Sequence, residues 1–504
     1  MFTTFISSGL AAWSRSKQNG FGENLMRMRV CMAAAAVSVV MLVLSGIVAS
    51  SPGEVQGSFG TVDYLAIVLV DAHQREGLSD RLADLLSDLF IDEITAPHTG
   101  ETPEQIARRV SVSLYGQHPV ALSPWLEEYA SLTFLVSAVR DAKDRGALSD
   151  SDIEALSGLL IDYLIVPLTG ETSEEVETRL YQRVREKLAL VAVYQLMGGR
   201  NWENSDLWLT HWPIGAWYGV SVSTDGRVWA LHLEDNLLGG EIPPQVGDLS
   251  SLSMLGLSNN GIYGNIPPEL GSLERLTWLS LEGNFLSGVI PPELGALDNL
   301  ETLDLGRNEL RGRIPPELGN LSRLRHLKLQ YNILVGAIPP ELGGLANLEN
   351  LLLGGNRLIG PVPTELQHLS SLRWLRLSNN ELSGAIPAEL SLLRNVVSID
   401  LGWNQITGEI PVELSGMARL QTLILSGNEL TGRIPAELGN LTGLINLGLS
   451  DNHLSGQIPH ELERLQSLDS IGLSGNRLTG CIPYGLRDIR LNDFYLMILP
   501  LCGN

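Results

Sequence analysis

Bulky aromatic and charged side chains recur at regular intervals in the second half of the chain, and their types suit recognition. They are Trp278, Glu282, Asp304, Arg307, His326, Lys328, Tyr331, Trp374, Arg376, Asp400 and Trp403. Aromatic and arginine side chains on a rigid surface are typical of binding hot spots, where rings anchor the partner and charges select it. The alternative interpretation is unconstrained variation at surface positions. We predict that these eleven residues bind a ligand.

The sequence has no motif that indicates catalysis, a cofactor or a metal ion. No Gly-rich phosphate loop, Gly-x-Ser-x-Gly elbow or HExxH motif occurs, and the histidines are scattered. The segment from Asp141 to Asp152 has the length of a calcium loop, but Lys143 and Arg145 stand where oxygen ligands are needed. We therefore predict a protein that is not an enzyme and that binds no cofactor and no metal.

Composition sets limits on domain number and partners. A chain of 504 residues is long enough for two or more domains. Its net charge of −23 argues against a nucleic-acid partner, because phosphate binding needs clustered Lys and Arg. We expect no nucleic acid among its ligands.

The elements that position the candidate residues follow from a strict 24-residue period. One Asn marks each repeat, and the repeats are numbered one to eleven by it: Asn236, Asn260, Asn284, Asn308, Asn332, Asn356, Asn380, Asn404, Asn428, Asn452 and Asn476. Four positions after each Asn stands a Gly, and Ile-Pro follows two positions later, with Val362-Pro363 as the variant. Because a fixed period of this length is the signature of repeat architectures, the sequence predicts a solenoid.

The leucines of each repeat are spaced for a short strand. In the segment Leu276–Asn299, Leu279 and Leu281 would point inward while Trp278 points outward. One repeat cannot bury its own leucines, so neighbouring repeats must stack and share a core. Each marker Asn is expected to bond to backbone groups of its own and the adjacent repeat, which makes a structural Asn ladder.

The repeat LxxLxLxxNxLxGxIPxELGxL resembles the plant-type leucine-rich repeat of plant receptor-kinase ectodomains and polygalacturonase-inhibiting proteins. It is also similar to secreted repeat proteins of bacteria and protists. The resemblance covers residues 228–483 with eleven repeats. It implies an α/β solenoid, a right-handed leucine-rich-repeat superhelix with a parallel concave sheet of about eleven short strands. The eleven candidate residues would then lie on the concave face and its rim, and no kinase domain is expected.

The flanks of the repeats resemble the caps of this family. In the N-terminal cap, residues 198–227, Trp202, Trp208 and Trp217 would close the core, and Val222 stands near the place where plant members usually have a Cys. The C-terminal cap, residues 484–504, resembles that of microbial members, and this implies a disulfide between Cys481 and Cys502. Two free thiols in a buried end-cap are the alternative.

Residues 61–197 are predicted to be helical and to contain a duplication. The segment that starts at Leu78 recurs from Leu148, which defines two units of about 70 residues. Thr172 and Glu175 have capping-box spacing for the last helix. An apolar stripe follows in this helix: Val176, Leu180, Val184, Leu188 and Val191. We predict a small duplicated all-α bundle that precedes the solenoid, and its role is not assigned.

Residues 1–51 are predicted to contain an export signal. The apolar segment Cys31–Ala49 follows Arg27 and Arg29 and ends in small residues. This segment is just long enough to span a bilayer, so a cleaved signal peptide and a retained anchor both fit. We expect an exported protein that is secreted, periplasmic or on the cell surface, with residues 31–49 as its one contact with a membrane.

Two functions fit these features. In the first, the concave face binds a protein, peptide or glycan ligand. In the second, the solenoid is a cell-surface structural or adhesion spacer that is anchored by its N-terminal apolar segment. An enzyme within residues 61–197 is a third and weaker interpretation, since nothing there assembles a nucleophile, a base and an orienting group.

Overall fold

The computed structural model describes residues 172–209, 214–224, 226–486, 490–491, 500 and 502. The chain divides into two compact units, Met1–Val184 and Arg185–Asn504. The predicted export signal, the candidate calcium loop and the predicted helices before residue 172 lie outside the described residues. The predicted domain boundaries therefore stay predictions.

One long sheet runs through all eleven repeats. Its strands, numbered in chain order together with the lateral strands below, are β1 (Val220–Val222), β2 (Val228–His232), β4 (Met254–Gly256), β6 (Trp278–Ser280), β8 (Thr302–Asp304), β10 (His326–Lys328), β12 (Asn350–Leu352), β14 (Trp374–Arg376), β16 (Ser398–Asp400), β18 (Thr422–Ile424), β20 (Asn446–Gly448), β22 (Ser470–Gly472) and β24 (Arg490–Leu491). All neighbours are parallel except β1, which runs antiparallel to β2. The predicted solenoid sheet is confirmed, with one strand per repeat and one further strand at each end.

Eleven lateral strands follow the marker Asn residues, and the sequence analysis does not predict them. They are β3 (Gly239–Gly240), β5 (Gly261–Asn265), β7 (Phe285–Ser287), β9 (Arg311–Gly312), β11 (Ile333–Gly336), β13 (Arg357–Gly360), β15 (Glu381–Ala385), β17 (Gln405–Gly408), β19 (Glu429–Leu430), β21 (Ser455–Gln457) and β23 (Arg477–Thr479). They form three separate sheets: β3 to β7, β9 to β19 and β21 to β23. Such short extended segments give no recognisable alternation in the sequence.

A 3-10 turn completes each repeat from the first to the tenth. Each of these turns follows a proline with φ near −65°, such as Pro315 with φ −64°, which presets the backbone for the turn. The turns are Pro244–Asp248, Pro268–Ser272, Pro292–Ala296, Pro316–Asn320, Pro340–Gly344, Thr364–His368, Ala388–Leu392, Val412–Gly416, Ala436–Asn440 and His460–Arg464, with further ones at Gly199–Asn201, Ile214–Ala216 and Tyr484–Leu486.

The core is a continuous stack of leucines and isoleucines from every repeat. In repeat four, Leu303 and Leu305 from the strand side and Leu318 and Leu321 from the turn side are fully buried. Burial of a leucine side chain contributes on the order of 2 kcal/mol, and only stacking makes it available. The solenoid is therefore stable as an array and not as single repeats.

The marker asparagines join each repeat to the one before it. The Nδ2 group of Asn308 donates to Leu305 O at 3.2 Å and to Leu281 O of the preceding repeat at 2.9 Å, and its Oδ1 accepts from the N–H of Leu286 at 3.0 Å. The same pattern recurs along the chain and ends at the cap, where Asn236 exchanges hydrogen bonds with the backbone of Asn204. These side chains satisfy backbone groups at the bend that follows every strand.

The N-terminal end of the core is closed by helix α1 (Ser173–Leu196) and three tryptophans. Trp202, Trp208 and Trp217 are buried. The ring centroids of Trp202 and Trp208 lie 4.9 Å apart, and those of Trp208 and Trp217 lie 5.1 Å apart. Glu186 of α1 is also buried, where it pairs with Arg227 at 2.7 Å and accepts from the N–H of Val228. The second half of α1 therefore packs into the solenoid core.

Helix α1 follows the predicted apolar stripe at Val191, which packs against the core, but not at Leu188. Thr172 and Glu175 make the two hydrogen bonds of a capping box. Leu188 of the stripe is 41% exposed, however, and the buried positions are Glu186, Ala189, Leu190, Val193 and Met197. The stripe failed at Leu188 because the buried side of α1 includes a charged residue, which an apolar pattern passes over.

The C-terminal end of the solenoid is held by strand pairing and by a disulfide bond. Strand β24 pairs with β22, and the N–H of Cys502 donates to Ile482 O at 3.0 Å. Cys481 and Cys502 form a disulfide, with their Cα atoms 4.9 Å apart. This is the pair that the resemblance to microbial caps implies.

Candidate functional site

The register of the long sheet arranges its outward residues in four rows. Each strand pairs with the equivalent positions of the next repeat, so that Trp278 lies beside Thr302 and Ser280 beside Asp304. The first row contains Trp278, Thr302, His326, Asn350, Trp374, Ser398, Thr422, Asn446 and Ser470; the second contains Ser280, Asp304, Lys328, Leu352, Arg376, Asp400, Ile424, Gly448 and Gly472. The third and fourth rows are the two residues that directly precede each marker Asn. The four rows together are called the front face.

All eleven candidate residues lie on the front face. Trp278, His326 and Trp374 are in the first row, and Asp304, Lys328, Arg376 and Asp400 are in the second. Glu282 is in the third row, and Arg307, Tyr331 and Trp403 are in the fourth. Trp278 lies at the N-terminal side, where its ring is 6.0 Å from that of His232.

The charged candidates are paired with one another. Lys328 Nζ lies 3.0 Å from Asp304 Oδ2, and Arg376 Nε lies 3.7 Å from Asp400 Oδ2. Arg307 pairs with Glu282 at 3.4 Å. Because the cations are the more exposed partner in each pair, they and not the carboxylates are available to a ligand.

The two aspartates also hold the backbone. Asp304, which is only 3% exposed, accepts from the N–H of Gly306 at 3.2 Å. Asp400 accepts from the N–H of Gly402 at 3.2 Å and from the hydroxyl of Ser378 at 2.8 Å. These contacts make the aspartates positioning residues for Lys328 and Arg376.

The fourth row has a left-handed backbone in every repeat. Its residues are Asp235, Asn259, Gly283, Arg307, Tyr331, Gly355, Asn379, Trp403, Gly427, Asp451 and Gly475, with φ between 52° and 70°. Gly, Asn and Asp tolerate this conformation, whereas a bulky side chain in it is strained, at a cost on the order of 1 kcal/mol or more. The backbone is therefore strained at three residues of this row: Arg307, Tyr331 and Trp403.

The aromatic rings of the fourth row lie over glycines of the next repeat. A Cβ atom added to Gly355, whose φ is 70°, would lie 2.6 Å from Cδ1 of Tyr331. One added to Gly427, whose φ is also 70°, would lie 2.7 Å from the ring of Trp403. The Arg307 guanidinium lies 5.1 Å from the Tyr331 ring centroid. Tyr331 and Trp403 both remain more than half exposed, so they are accessible to a ligand.

Three polar atoms in repeats five and six are buried without a hydrogen-bond partner among the described residues. They are His326 Nδ1, Gln330 Oε1 and Asn350 Oδ1. His326 and Asn350 are neighbours in the first row. Burial lowers the pKa of His326, and Lys328 and Arg325 act in the same direction. Buried polar groups are normally satisfied, so this cluster favours a site that a ligand completes.

Sequence reasoning missed several residues of this surface. Leu352 lies in the second row between Lys328 and Arg376, and Asn350 occupies the same strand. Arg373, just before Trp374, holds its guanidinium 4.7 Å from the Trp374 ring centroid. A step of one repeat from Lys328 would have found Leu352, but its apolar type resembles a core position.

Repeats nine to eleven present a different surface in the same rows. Apart from Ile424 the residues are small or polar: Thr422, Ser426, Asn446, Gly448, Ser450, Ser470, Gly472 and Ser474. Within the described part of the chain, no group of three or more His, Cys, Asp and Glu side chains is arranged to hold a metal ion. None of the described helices is long and apolar enough to cross a membrane.

Comparisons with known proteins identify the repeats. One leucine-rich-repeat family model, described as "Leucine rich repeat", matches residues 274–334. A second, described as "Leucine Rich Repeat", matches residues 251–273, 347–369, 371–393, 395–417, 419–441 and 443–465. No curated protein sequence matches the chain.

Solved structures of plant proteins are similar to this chain. The leucine-rich-repeat ectodomain of the membrane receptor kinase GASSHO1/SCHENGEN3 from Arabidopsis thaliana, in complex with CASPARIAN STRIP INTEGRITY FACTOR 2, is 34% identical, with a TM-score of 0.52 over 60% of this chain and 42% of that one. The plant peptide hormone receptor RGFR1 in complex with RGF2 is 37% identical over 52% of this chain and 45% of that one, with a TM-score of 0.47. A plant ice-binding protein is 29% identical over 63% of this chain and 97% of that one, with a TM-score of 0.48.

The chain spans less than half the length of either receptor ectodomain. The matched segments fall within the eleven repeats that share one sheet, one ladder and one period. Residues 251–465 therefore contain leucine-rich repeats, and these resemble the repeats of a plant receptor ectodomain.

Proposed function

We propose that this protein binds a protein or peptide ligand across repeats three to eight of its front face. Tyr331, Trp374 and Trp403 are the apolar anchors, and Lys328 and Arg376 select for acidic groups on the ligand. Leu352, between the two cations, adds an apolar contact at the centre. The face is a binding surface and has no catalytic role.

The strain of the fourth row carries this proposal. Eight of the eleven repeats have Gly, Asn or Asp at the left-handed position, while Arg307, Tyr331 and Trp403 keep bulky side chains there. Strained residues that persist in a fold cluster at functional sites, because the fold alone favours their replacement. All three lie within repeats four to eight, beside the other candidates.

Two further observations support the proposal. The unpartnered polar atoms of His326, Gln330 and Asn350 lie in the middle of the same region, where rotation of these half-buried side chains would expose them to a ligand. The GASSHO1/SCHENGEN3 ectodomain was solved with a bound factor, and its likeness to this chain supports a protein or peptide partner. An exported or cell-surface location follows from the same likeness and from the expected export signal.

The test uses the full chain and a phage-displayed library of linear peptides as the probe. Peptides selected on the unchanged chain are measured against the double variant Trp374→Ala/Arg376→Ala. We expect the dissociation constant to rise at least tenfold, which corresponds to about 1.4 kcal/mol. The matched control is Asn446→Ala/Gly448→Ala, which changes the same two rows in repeat ten and should leave binding unchanged.

The outcomes separate the proposal from its alternatives. Selection of peptides that bind both variants equally would move the site away from the front face. Failure to select any peptide, with retention on a glycan array, would make the ligand a sugar. If neither probe is retained and exported protein does not begin near Ser50 or Ser51, the anchored spacer is the better interpretation.

A further inference from the structure

The outward side of the lateral strands carries a contrast that the front-face function does not use. This lateral face consists of the residues one, three and five positions after each marker Asn. In repeats one to six it exposes large apolar side chains: Leu237, Tyr263, Phe285, Val289, Ile333, Val335 and Ile359. At the same positions repeats seven to eleven have mainly polar ones: Glu381, Ser383, Gln405, Thr407, Glu409, Glu429, Thr431, Arg433, His453, Ser455, Gln457, Arg477 and Thr479.

The fold does not impose this difference. The lateral strands of both halves pair with the same shift, Tyr263 beside Phe285 in one half and Ser455 beside Arg477 in the other. Phe285 and Leu237 are 58% and 66% exposed, so they contribute nothing to the core. An apolar strip of this extent on a solvent-exposed face is typical of an interaction surface.

The strip is also electrostatically asymmetric. The side chains of Arg311, Arg313 and Arg357, in repeats four and six, make no ion pair or hydrogen bond with any residue that the structure describes. They outnumber the one lateral acid of repeats four to six, Glu309. Repeats one to three contain no lateral arginine and carry Glu241 instead. The strip is thus basic at one end and weakly acidic at the other.

These features fit a second copy of the chain that lies antiparallel on the first. A two-fold axis that lies in the interface, parallel to the lateral strands and passing Ser287 of repeat three, would place repeat one opposite repeat five and repeat two opposite repeat four. Phe285 would then meet Phe285 of the second copy, and Tyr263 would meet Arg311 of the second copy as a cation–π pair. Val335 of the second copy would fill the hollow at Gly239, where a Cβ atom meets nothing within 4 Å.

The charges select this placement over its neighbours. An axis at repeat four would set Arg311 of one copy against Arg311 of the other, which like-charge repulsion opposes. The axis at repeat three keeps the arginines of each copy against the N-terminal cap and repeats one and two of the other, where Glu241 lies. Self-complementarity of this kind is what a two-fold interface requires.

We propose that the chain forms a weak antiparallel homodimer through the lateral face of repeats one to six. Strands about 4.8 Å apart and about four residues wide give a strip of roughly 400 Å² per copy, about half of what stable complexes bury. The association is therefore weak and depends on protein concentration, and it leaves both front faces open.

The test compares two single cysteine variants, which differ only in the half of the lateral face where the cysteine lies. Ser287 and Ser455 are both half-buried, and each hydroxyl donates to a carbonyl of the preceding repeat, at 3.4 Å and 3.2 Å. Under mild oxidation, full-length Ser287→Cys should form a covalent dimer of twice 54.8 kDa. Ser455→Cys, and the unchanged chain with its native Cys31, should stay largely monomeric.

A second measurement keeps the proposal falsifiable if cross-linking fails. Sedimentation equilibrium of the unchanged chain should show a mass that rises with concentration. Phe285→Asp/Val289→Asp should weaken that association at least tenfold, whereas His453→Asp/Gln457→Asp, at the matching positions of repeat ten, should not. A constant monomer mass for the unchanged chain, or equal cross-linking at Ser287→Cys and Ser455→Cys, would overturn the proposal.

Discussion

The front face of repeats three to eight and that of repeats nine to eleven share one backbone and differ in side chains. Both have the same strands, the same 24-residue register and the same Asn ladder. One region carries rings and cations, and the other carries mostly Ser, Thr, Asn and Gly. Since the fold accepts small residues at every one of these positions, neither the strands nor the Asn ladder requires the bulky ones.

The residues of the fourth row show the size of this difference as backbone strain. Repeats nine to eleven have Gly427, Asp451 and Gly475, which suit a left-handed backbone. Tyr331 and Trp403 occupy the same conformation at a cost on the order of 1 kcal/mol each. The two regions therefore differ in backbone strain, and experiments that treat them alike can test whether the strained residues serve binding.

The largest effect should come from the ladder, and it should be equal in both regions. Asn308→Ala and Asn452→Ala each remove donors to three carbonyls and the acceptor of one buried N–H. We expect each to lower the free energy of unfolding by about 2–3 kcal/mol, measured by urea denaturation. Asn299→Ala, which loses one exposed hydrogen bond, should cost less than about 0.5 kcal/mol. A cost confined to one region would mean that the shared backbone does not imply shared stability.

A smaller effect should come from the glycine under Tyr331. Gly355→Ala places a methyl group against the ring and strains a left-handed backbone, so we expect a loss of about 1–2 kcal/mol. In the Tyr331→Asn background the loss should shrink, because only the backbone strain remains. A double-mutant cycle in thermal denaturation measures the difference. Full additivity would show that the ring does not lie over this glycine in solution.

Exchange of fourth-row residues between the regions should have opposite effects of at most about 1 kcal/mol. Trp403→Asn should leave the free energy of unfolding unchanged or raise it, while it weakens binding of a selected peptide at least tenfold. Asp451→Trp should lower stability and leave binding unchanged. Denaturation curves and titration of the same peptide report both quantities. If Trp403→Asn destabilised the protein strongly, the ring would belong to the scaffold and not to a binding site.

The smallest effect concerns acid sensitivity, which should be confined to the binding region. Burial lowers the pKa of His326 in the folded chain below its ordinary value of 6.5. The unfolded chain therefore takes up this proton first, and stability falls as the pH decreases below 6.5. His326→Asn should flatten the decline in melting temperature between about pH 6.5 and pH 5. Parallel curves for variant and unchanged chain would remove His326 as the cause.

At lower pH a second group contributes. The hydrogen bond from Arg325 lowers the pKa of Glu349 below its ordinary value of 4.5, so its contribution is present above that value and is lost below it. Glu349 is solvent-accessible, and ion pairs of this kind contribute little in water. Glu349 therefore contributes little to the acid dependence above pH 5.

The periodicity of the sequence predicts the fold better than it predicts the contacts between side chains of the front face. Leucine spacing and the marker Asn predict the stacked strands, the ladder and the row that each outward residue occupies. Pairing within the face could not be read from the same pattern, because Asp304 and Lys328 stand one repeat apart in the sequence and look equally exposed. The burial of Asp304 and its bond to the N–H of Gly306 depend on how neighbouring repeats close around it.

The lateral strands and the end of α1 show the same limit. Leu237 and Phe285 are apolar residues next to a ladder Asn, and the sequence alone does not say whether they face the core or solvent. Leu188 fits a helical stripe and is nevertheless exposed, while Glu186 breaks the stripe and is buried by its pairing with Arg227. Such positions depend on partners that are distant in the sequence.

By itself, the sequence determined a repeating unit, its number of copies and the residues that must be buried, because a strict period leaves one way to share a core. Only the tertiary structure decided which outward side chains are strained, which are paired and which are free. Those properties arise where one repeat meets the next, and no single repeat contains both sides of that contact.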